Sequence, residues 1–164
     1  MLAAQDFGQV SSTPTYAETI EWIRGRTTSE ELDAIGIRIR RTFVTENCRV
    51  ELKRYGGALP LISGSFNLKD IAYLDVADRP VGTLWTGVFL IFRARNGEAT
   101  IRRGDLVPAT GQLAERASSS FEWHLGSSPA GRSPVELREL GSRLRNAFSH
   151  AIELCGGALL KEPF

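Results

Sequence analysis

The last quarter of the chain carries the pattern that most restricts the fold. Leu137, Leu140, Leu144, Ala147, Phe148, Ala151, Ile152 and Cys155 recur at spacings of three and four, which places them on one stripe of an α-helix. Ser133-Pro134-Val135-Glu136 supplies an N-cap, a proline at the first helical position and a capping-box glutamate. Gly156-Gly157 supplies a left-handed stop. A stripe this long must be covered, so the rest of the chain has to furnish an apolar sheet face or the mouth of a barrel. Near the other end, Thr15-Tyr16-Ala17-Glu18 reads as a capping box. It opens a shorter helix with Tyr16, Thr19, Ile20 and Ile23 along one stripe, Trp22 beside it, and Gly25 as its stop. Ser29-Glu30-Glu31-Leu32 reads as one more short helical turn, its acids at the positive end.

Between these helices the period changes to two. Ile35, Ile37 and Ile39 alternate with Gly36, Arg38 and Arg40. After a turn at Thr45-Glu46-Asn47, Cys48, Val50 and Leu52 alternate with Arg49, Glu51 and Lys53. Two such runs in succession predict a hairpin with one dry and one wet face. Leu61–Phe66 predicts a third strand, broken by Gly64, and Ala72–Val76 a fourth. Val88–Arg95 predicts a central fifth strand, joined through Asn96-Gly97, the strongest two-residue hairpin signal, to a sixth over Glu98–Arg103. Gly104–Ser118 has no period and reads as a long loop. Phe121, Trp123 and Leu125 alternate with Glu122 and His124 as a seventh strand. Residues 1–13 read as a flexible arm, 14–157 as a single α+β domain and 158–164 as a tail.

Twenty basic against nineteen acidic residues in a chain of 164 leave a net charge of +1. That balance argues against a chain steered as a whole toward nucleic acid. Both cysteines, Cys48 and Cys155, occupy apolar-periodic positions. Their expected state is a reduced core thiol, and nothing in the spacing supports a disulfide. Met1–Phe7 lacks the basic and apolar regions of a signal peptide, and no apolar run approaches a transmembrane length. A cytoplasmic location is the expectation.

Chemistry is sparse. There is no Gly-x-Ser-x-Gly elbow, no Cys-x-x-Cys or His-x-x-x-His pair, and no Gly-x-x-x-x-Gly-Lys loop. The expectation is no catalytic residue, no metal ligand and no cofactor. His124 reads as a solvated side chain on the polar side of its strand, and His150 as another beside the last helix's stripe. The one constellation is basic. Residues 38–54 hold Arg38, Arg40, Arg41, Arg49, Lys53 and Arg54 against two acids. If the hairpin shows one face, Arg38, Arg40, Arg49 and Lys53 form an anion patch for phospholipid headgroups or an acidic partner. No aromatics interleave with these arginines, which disfavours nucleic acid.

One N-terminal helix, about seven antiparallel strands and a long closing helix resemble the pleckstrin-homology-like barrel. Phe66-Asn67-Leu68-Lys69-Asp70-Ile71-Ala72-Tyr73-Leu74-Asp75-Val76 is similar to a strand entry common in its bacterial members. The two ends, Pro14–Ile23 and Leu144–Gly157, resemble an uncharacterised bacterial family. The resemblance implies a barrel or two orthogonal sheets plugged by the last helix. The function expected is a non-catalytic interaction module binding a protein partner or an anionic ligand, such as a lipid surface, through its basic sheet face. Two alternatives stand beside it. One is a helix-grip-like carrier or enzyme for a small hydrophobic ligand, which needs a cavity of roughly 300 Å³ or more. In the barrel reading, Trp85, Phe89, Phe92, Phe121, Trp123 and Phe148 fill that space. The other is a dimerising structural protein in which the Trp22 helix caps a second copy.

Overall fold

The structure, a computed structural model, describes residues 13–33, 35–81, 85–128 and 133–161. The expected N-terminal arm, apart from Thr13, and the end of the expected tail lie outside them. The chain is α+β. Helix α1 (Tyr16–Thr27) is followed by strands β1 (Ser29–Leu32), β2 (Arg38–Glu46), β3 (Arg49–Gly56), β4 (Leu59–Asn67), β5 (Ile71–Val81), β6 (Trp85–Ala94), β7 (Ile101–Val107), β8 (Gln112–Ser118) and β9 (Ser120–Ser128), then helix α2 (Pro134–Leu154). All pairings are antiparallel. A six-stranded sheet runs β1-β2-β3-β4-β7-β8 and a three-stranded sheet runs β5-β6-β9. Among the described residues no ladder joins the two sheets, so they do not close into one barrel. No helix among those residues is long and apolar enough to cross a membrane.

Both helices start as their caps dictate. The Thr15 hydroxyl accepts from the Glu18 amide while the Glu18 carboxylate accepts from the Thr15 amide, satisfying two amides that have no partner inside the helix. The Ser133 hydroxyl accepts from the Glu136 amide, with Pro134 at the first turn. Gly25 does not stop α1. The helix continues to Thr27, which is buried and donates its hydroxyl to the Ile23 carbonyl at 2.8 Å. Packing outweighs the roughly 1 kcal/mol that a mid-helix glycine costs.

The stripe on α2 closes the core. Leu144, Ala147, Phe148, Ala151 and Ile152 are fully buried. The Phe148 ring meets Phe43 of β2 and Phe92 of β6 edge-on at 6.1 and 5.1 Å, so one side chain of the helix joins both sheets. At Gly64 the predicted break does not occur, and β4 runs through it. A Cβ there would lie 2.6 Å from the Phe121 ring, so glycine marks a close approach of strand to aromatic rather than a chain break.

Three expected connections are corrected. Ser29–Leu32 is the edge strand β1, not a helical turn, because its side chains serve a buried partner on β2 described below. Asn96 and Gly97 do take positive φ, 56° and 67°. Yet they sit in a 3-10 turn, and the strands around them part, β6 to β9 and β7 to β4. Residues 98–100 supply the slack for that crossing. The expected loop at 104–118 is the hairpin β7–β8, turned at residues 108–111. Its outer strand is almost wholly exposed, so no dry face imprints an alternation.

The cysteines are also corrected. Cys48, in the two-residue turn between β2 and β3, is disulfide-bonded to Cys155 at the C-cap of α2 across 107 residues. No local spacing can announce such a pair, since the docking of α2 brings it together. The same turn takes the Tyr16 hydroxyl on the Asn47 carbonyl at 2.6 Å. Past α2, the Leu160 amide reaches the Ala72 carbonyl at 2.8 Å and Leu159 packs on the core.

Leu144→Asp abolishes the cooperative melting transition, and Leu144→Ala lowers unfolding free energy by about 2–5 kcal/mol. Urea unfolding followed by circular dichroism reads both. A non-reducing peptide map contains a Cys48–Cys155 cross-linked fragment. Cys155→Ser lowers stability by about 2–5 kcal/mol.

Candidate functional site

The two arginines that the sequence hides on its dry face build the site. In the β2–β3 ladder Arg41 stands directly opposite Arg54. Each continues the apolar alternation of its strand, Arg41 between Ile39 and Phe43, Arg54 two residues beyond Leu52. Arg41 is only 3% exposed. Its Nε donates to the His124 carbonyl at 2.9 Å, and one terminal nitrogen donates to Glu31 at 2.6 Å and to the Ser29 hydroxyl at 3.3 Å. A buried guanidinium is costly unless its donors are matched. Here β1 provides the carboxylate and the hydroxyl, and β9, the outer strand of the small sheet, provides a main-chain oxygen.

Arg54 engages the side chain of the same histidine, its terminal nitrogen lying 2.7 Å from His124 Nδ1. A guanidinium only donates, so Nδ1 accepts and the ring proton sits on Nε2. Nε2 then donates to the Ser127 hydroxyl at 2.7 Å. Phe89 stacks on the imidazole with centroids 4.7 Å apart. Burial, then the charges of Arg54 and Arg41, push His124 down to about 3. The expected solvated histidine is therefore a neutral, fixed one. Burial and the Arg41 charge also lower Arg54 below the usual guanidinium value.

This polar group forms one wall of a cleft of about 470 Å³ between the ends of the two sheets. Leu32, Ile39, Leu61, Val81 and Trp85 supply apolar wall, and Ile35 stands at the lip. Exposure gives the cleft its direction. Ile35 and Leu32 are 79% and 63% exposed, whereas Arg41 is buried, so the guanidiniums lie at the inner end. Gly87 lets two of the lining residues, Val81 and His124, pack closely against β6. A Cβ there would stand 2.6 Å from Val81 and 3.1 Å from His124 Nε2. The six aromatics expected to fill a barrel divide accordingly. Phe92, Phe121, Trp123 and Phe148 are fully buried, while Trp85 and Phe89 are half-buried on the cleft side.

The serine and histidine do not make a nucleophile. A general base must turn a lone pair toward the hydroxyl and be held from behind by an acid. His124 turns its proton toward Ser127 and has an arginine behind it. Among the described residues no three metal-ligating side chains converge. The arrangement offers hydrogen-bond donors and positive charge at the base of an apolar cleft.

The four basic residues singled out in the sequence lie elsewhere, on the outer face of β2 and β3, and the structure spreads them along it. Arg38 bonds Glu30, the Arg40 guanidinium lies 4.2 Å over the Tyr55 ring, and Lys53 is 3.6 Å from Glu51. Arg49 is opposite Glu46 at the far end of the ladder. Trp22 is half-buried against the core, with Arg26 4.4 Å over its ring. His150 reaches the Pro14 carbonyl at 2.9 Å.

His124 stays neutral with its proton on Nε2 down to about pH 4, as two-dimensional ¹H–¹⁵N spectra of the imidazole will read. Unfolded, the ring takes a proton near pH 6.5. Because the folded value is depressed, its contribution is complete above about pH 6.5 and is lost as pH falls toward 3. His124→Asn keeps an acceptor for Arg54 but cannot titrate. Its stability therefore falls less than the wild type's between pH 6.5 and 4.

A scan against protein-family models, a search of curated proteins and a search of solved structures each find no match to this chain.

Proposed function

We propose that the protein is a non-catalytic binding module that holds a small amphipathic molecule in the cleft between its two sheets. The observation that carries this is the cleft itself. At about 470 Å³ it falls within the roughly 300–1,000 Å³ of small-ligand sites. Its walls are mainly aliphatic and aromatic, with a few fixed polar groups at one end, the usual division between affinity and orientation. The outer sheet face is the weaker reading. Three of its four basic side chains already have an acid or an aromatic ring in contact, and exposed charges so arranged are largely screened.

The Cys48–Cys155 bond favours an oxidising compartment over the cytoplasm, where thiols are kept reduced. A ligand carrier working outside the cytoplasm fits both features.

Nile red, an uncharged dye that brightens in apolar surroundings, binds one-to-one and saturably. Ile39→Trp, which fills the cleft, lowers its affinity about tenfold or more, a loss of roughly 1.4 kcal/mol, without lowering the melting temperature. Absence of saturable binding, or unchanged binding by the filled variant, overturns the reading.

A further inference from the structure

We infer that the cleft selects a ligand with a single anionic head, an aliphatic monocarboxylate, bound head-inward on Arg54 with its chain running out past Leu32 and Ile35. The inference rests on the cleft reading above and adds the charge and direction of the ligand.

Charge comes first. Two guanidiniums stand side by side at the inner end, and one carboxylate, Glu31, touches them, on Arg41 at 2.6 Å. Asp33, the other acid on the cleft wall, is turned to the main chain. Its Oδ1 accepts from the Ile35 and Ile37 amides at 3.0 and 2.8 Å. His124 contributes no charge, since it accepts from one arginine and its proton is committed to Ser127. The group of Arg41, Arg54, Glu31 and His124 therefore carries one positive charge without a contacting counter-ion, in a place poorly reached by water. One monoanion completes it.

The second observation is an unsatisfied donor. Among the described residues Arg54 Nε is buried and has no hydrogen-bond partner, although one terminal nitrogen of the same fork holds His124. Orphaned buried donors are rare in folded proteins. Nε itself is enclosed by protein, so the orphan marks an under-satisfied guanidinium, and a carboxylate would meet the fork where Arg54 lines the cleft. His124 holds the fork in place by accepting from its other side, and is itself fixed by Ser127 and by the Phe89 ring.

Direction follows from exposure. An alkyl chain leaving Arg54 has Ile39, Leu61, Val81 and Trp85 along its path and the exposed Ile35 and Leu32 at the exit. The apolar side chains at the lip, costly in water, would be covered by the end of the chain. This accounts for why the β1–β2 hairpin ends in two exposed isoleucines, Ile35 and Ile37, beside a ring of charge.

The test displaces Nile red from the wild-type protein with decanoate and with 1-decanol, at pH 7.5. Decanoate displaces the dye at a concentration about tenfold lower or more than decanol, as a charge-assisted hydrogen bond in a sheltered site should give. Arg54→Gln removes that preference, so that decanoate displaces the dye no better than decanol. Arg54→Lys, which keeps the charge, retains part of it and checks that the loss is not general damage. Equal displacement by decanoate and decanol in the wild type overturns the anionic head and leaves the cleft reading standing. A preference that persists in Arg54→Gln overturns the assignment to Arg54. Failure of both compounds to displace bound dye overturns the head-inward cleft as the place where the chain lies. Failure of the dye itself to bind saturably overturns the cleft reading beneath it.

Discussion

One buried guanidinium organises the open end of this fold. Arg41 sits where the alternation of β2 calls for an aliphatic residue, and its burial is compatible with folding only because three groups from two other strands converge on it. The hydroxyl of Ser29 and the carboxylate of Glu31 come from β1, and the His124 carbonyl comes from the outer edge of β9. Those contacts determine that Ser29–Leu32 is extended, since a strand paired with β2 presents alternate side chains to one face and so aims residues 29 and 31 together. They also pin the three-stranded sheet to the six-stranded one at a point where no backbone ladder joins them. Removing one partner of a buried charge costs far more than the pair contributes by existing, so this constellation is intolerant of single changes and demands that its neighbours stay in register.

The same charge sets the character of the histidine. With Arg41 on its carbonyl and Arg54 on its ring, His124 has two positive neighbours and a stacked phenyl ring. Burial and the two arginine charges disfavour protonation. The tautomer is dictated in turn, because only Nδ1 can accept from an arginine. A serine 2.7 Å from an imidazole thus has the distance of a catalytic dyad and the opposite polarity. Electrostatics, not proximity, sets the polarity of this pair.

Much of the architecture was legible. The caps at Thr15 and Ser133, the stripe of α2 and the β2–β3 hairpin with Val50 and Leu52 inside follow from local periodicity, and the packing confirms them, whereas Ile35 and Ile37, expected on the dry face, precede β2 and are exposed. What escaped was non-local. The disulfide joins residues 107 apart. Strand β8 lies at the sheet edge and is mostly exposed, so it leaves no alternation to read. The Asn96-Gly97 turn has the right backbone signs, but the strands it joins belong to different sheets. The site itself was half visible. Arg41 and Arg54 belong to the basic run of residues 38–54 but not to its expected patch of Arg38, Arg40, Arg49 and Lys53, and the period of two that puts Phe43 and Leu52 inside puts them inside as well. Hydrophobicity outvoted parity. An arginine on the apolar phase of a strand is a stronger signal than a cluster of arginines on the wet phase, because only the former has to be explained by partners.

The two ends of the β2–β3 hairpin are held by different means, and this bears on how the cleft works. Toward Glu46 and Arg49 the turn is tied by the disulfide to α2, by the Tyr16 hydroxyl to α1, and by the Leu68 amide, which donates to the Cys48 carbonyl at 2.9 Å. The fully buried Val50 and Leu52 lie on that side. Toward Arg38 and Gly56 there is no covalent tie among the described residues, and the hold is the Arg38–Glu30 ion pair, Arg40 over the Tyr55 ring and the Gly57 amide on the Arg38 carbonyl. Regions with few buried apolar contacts open at lower free energy than the core. Motion is therefore expected at the lip formed by the β1–β2 hairpin, while the disulfide end stays closed. On the proposed function, a cleft built this way would take in a ligand chain through its lip without disturbing the packed aromatic half. Its charged inner end, fixed by Arg41, keeps its geometry throughout.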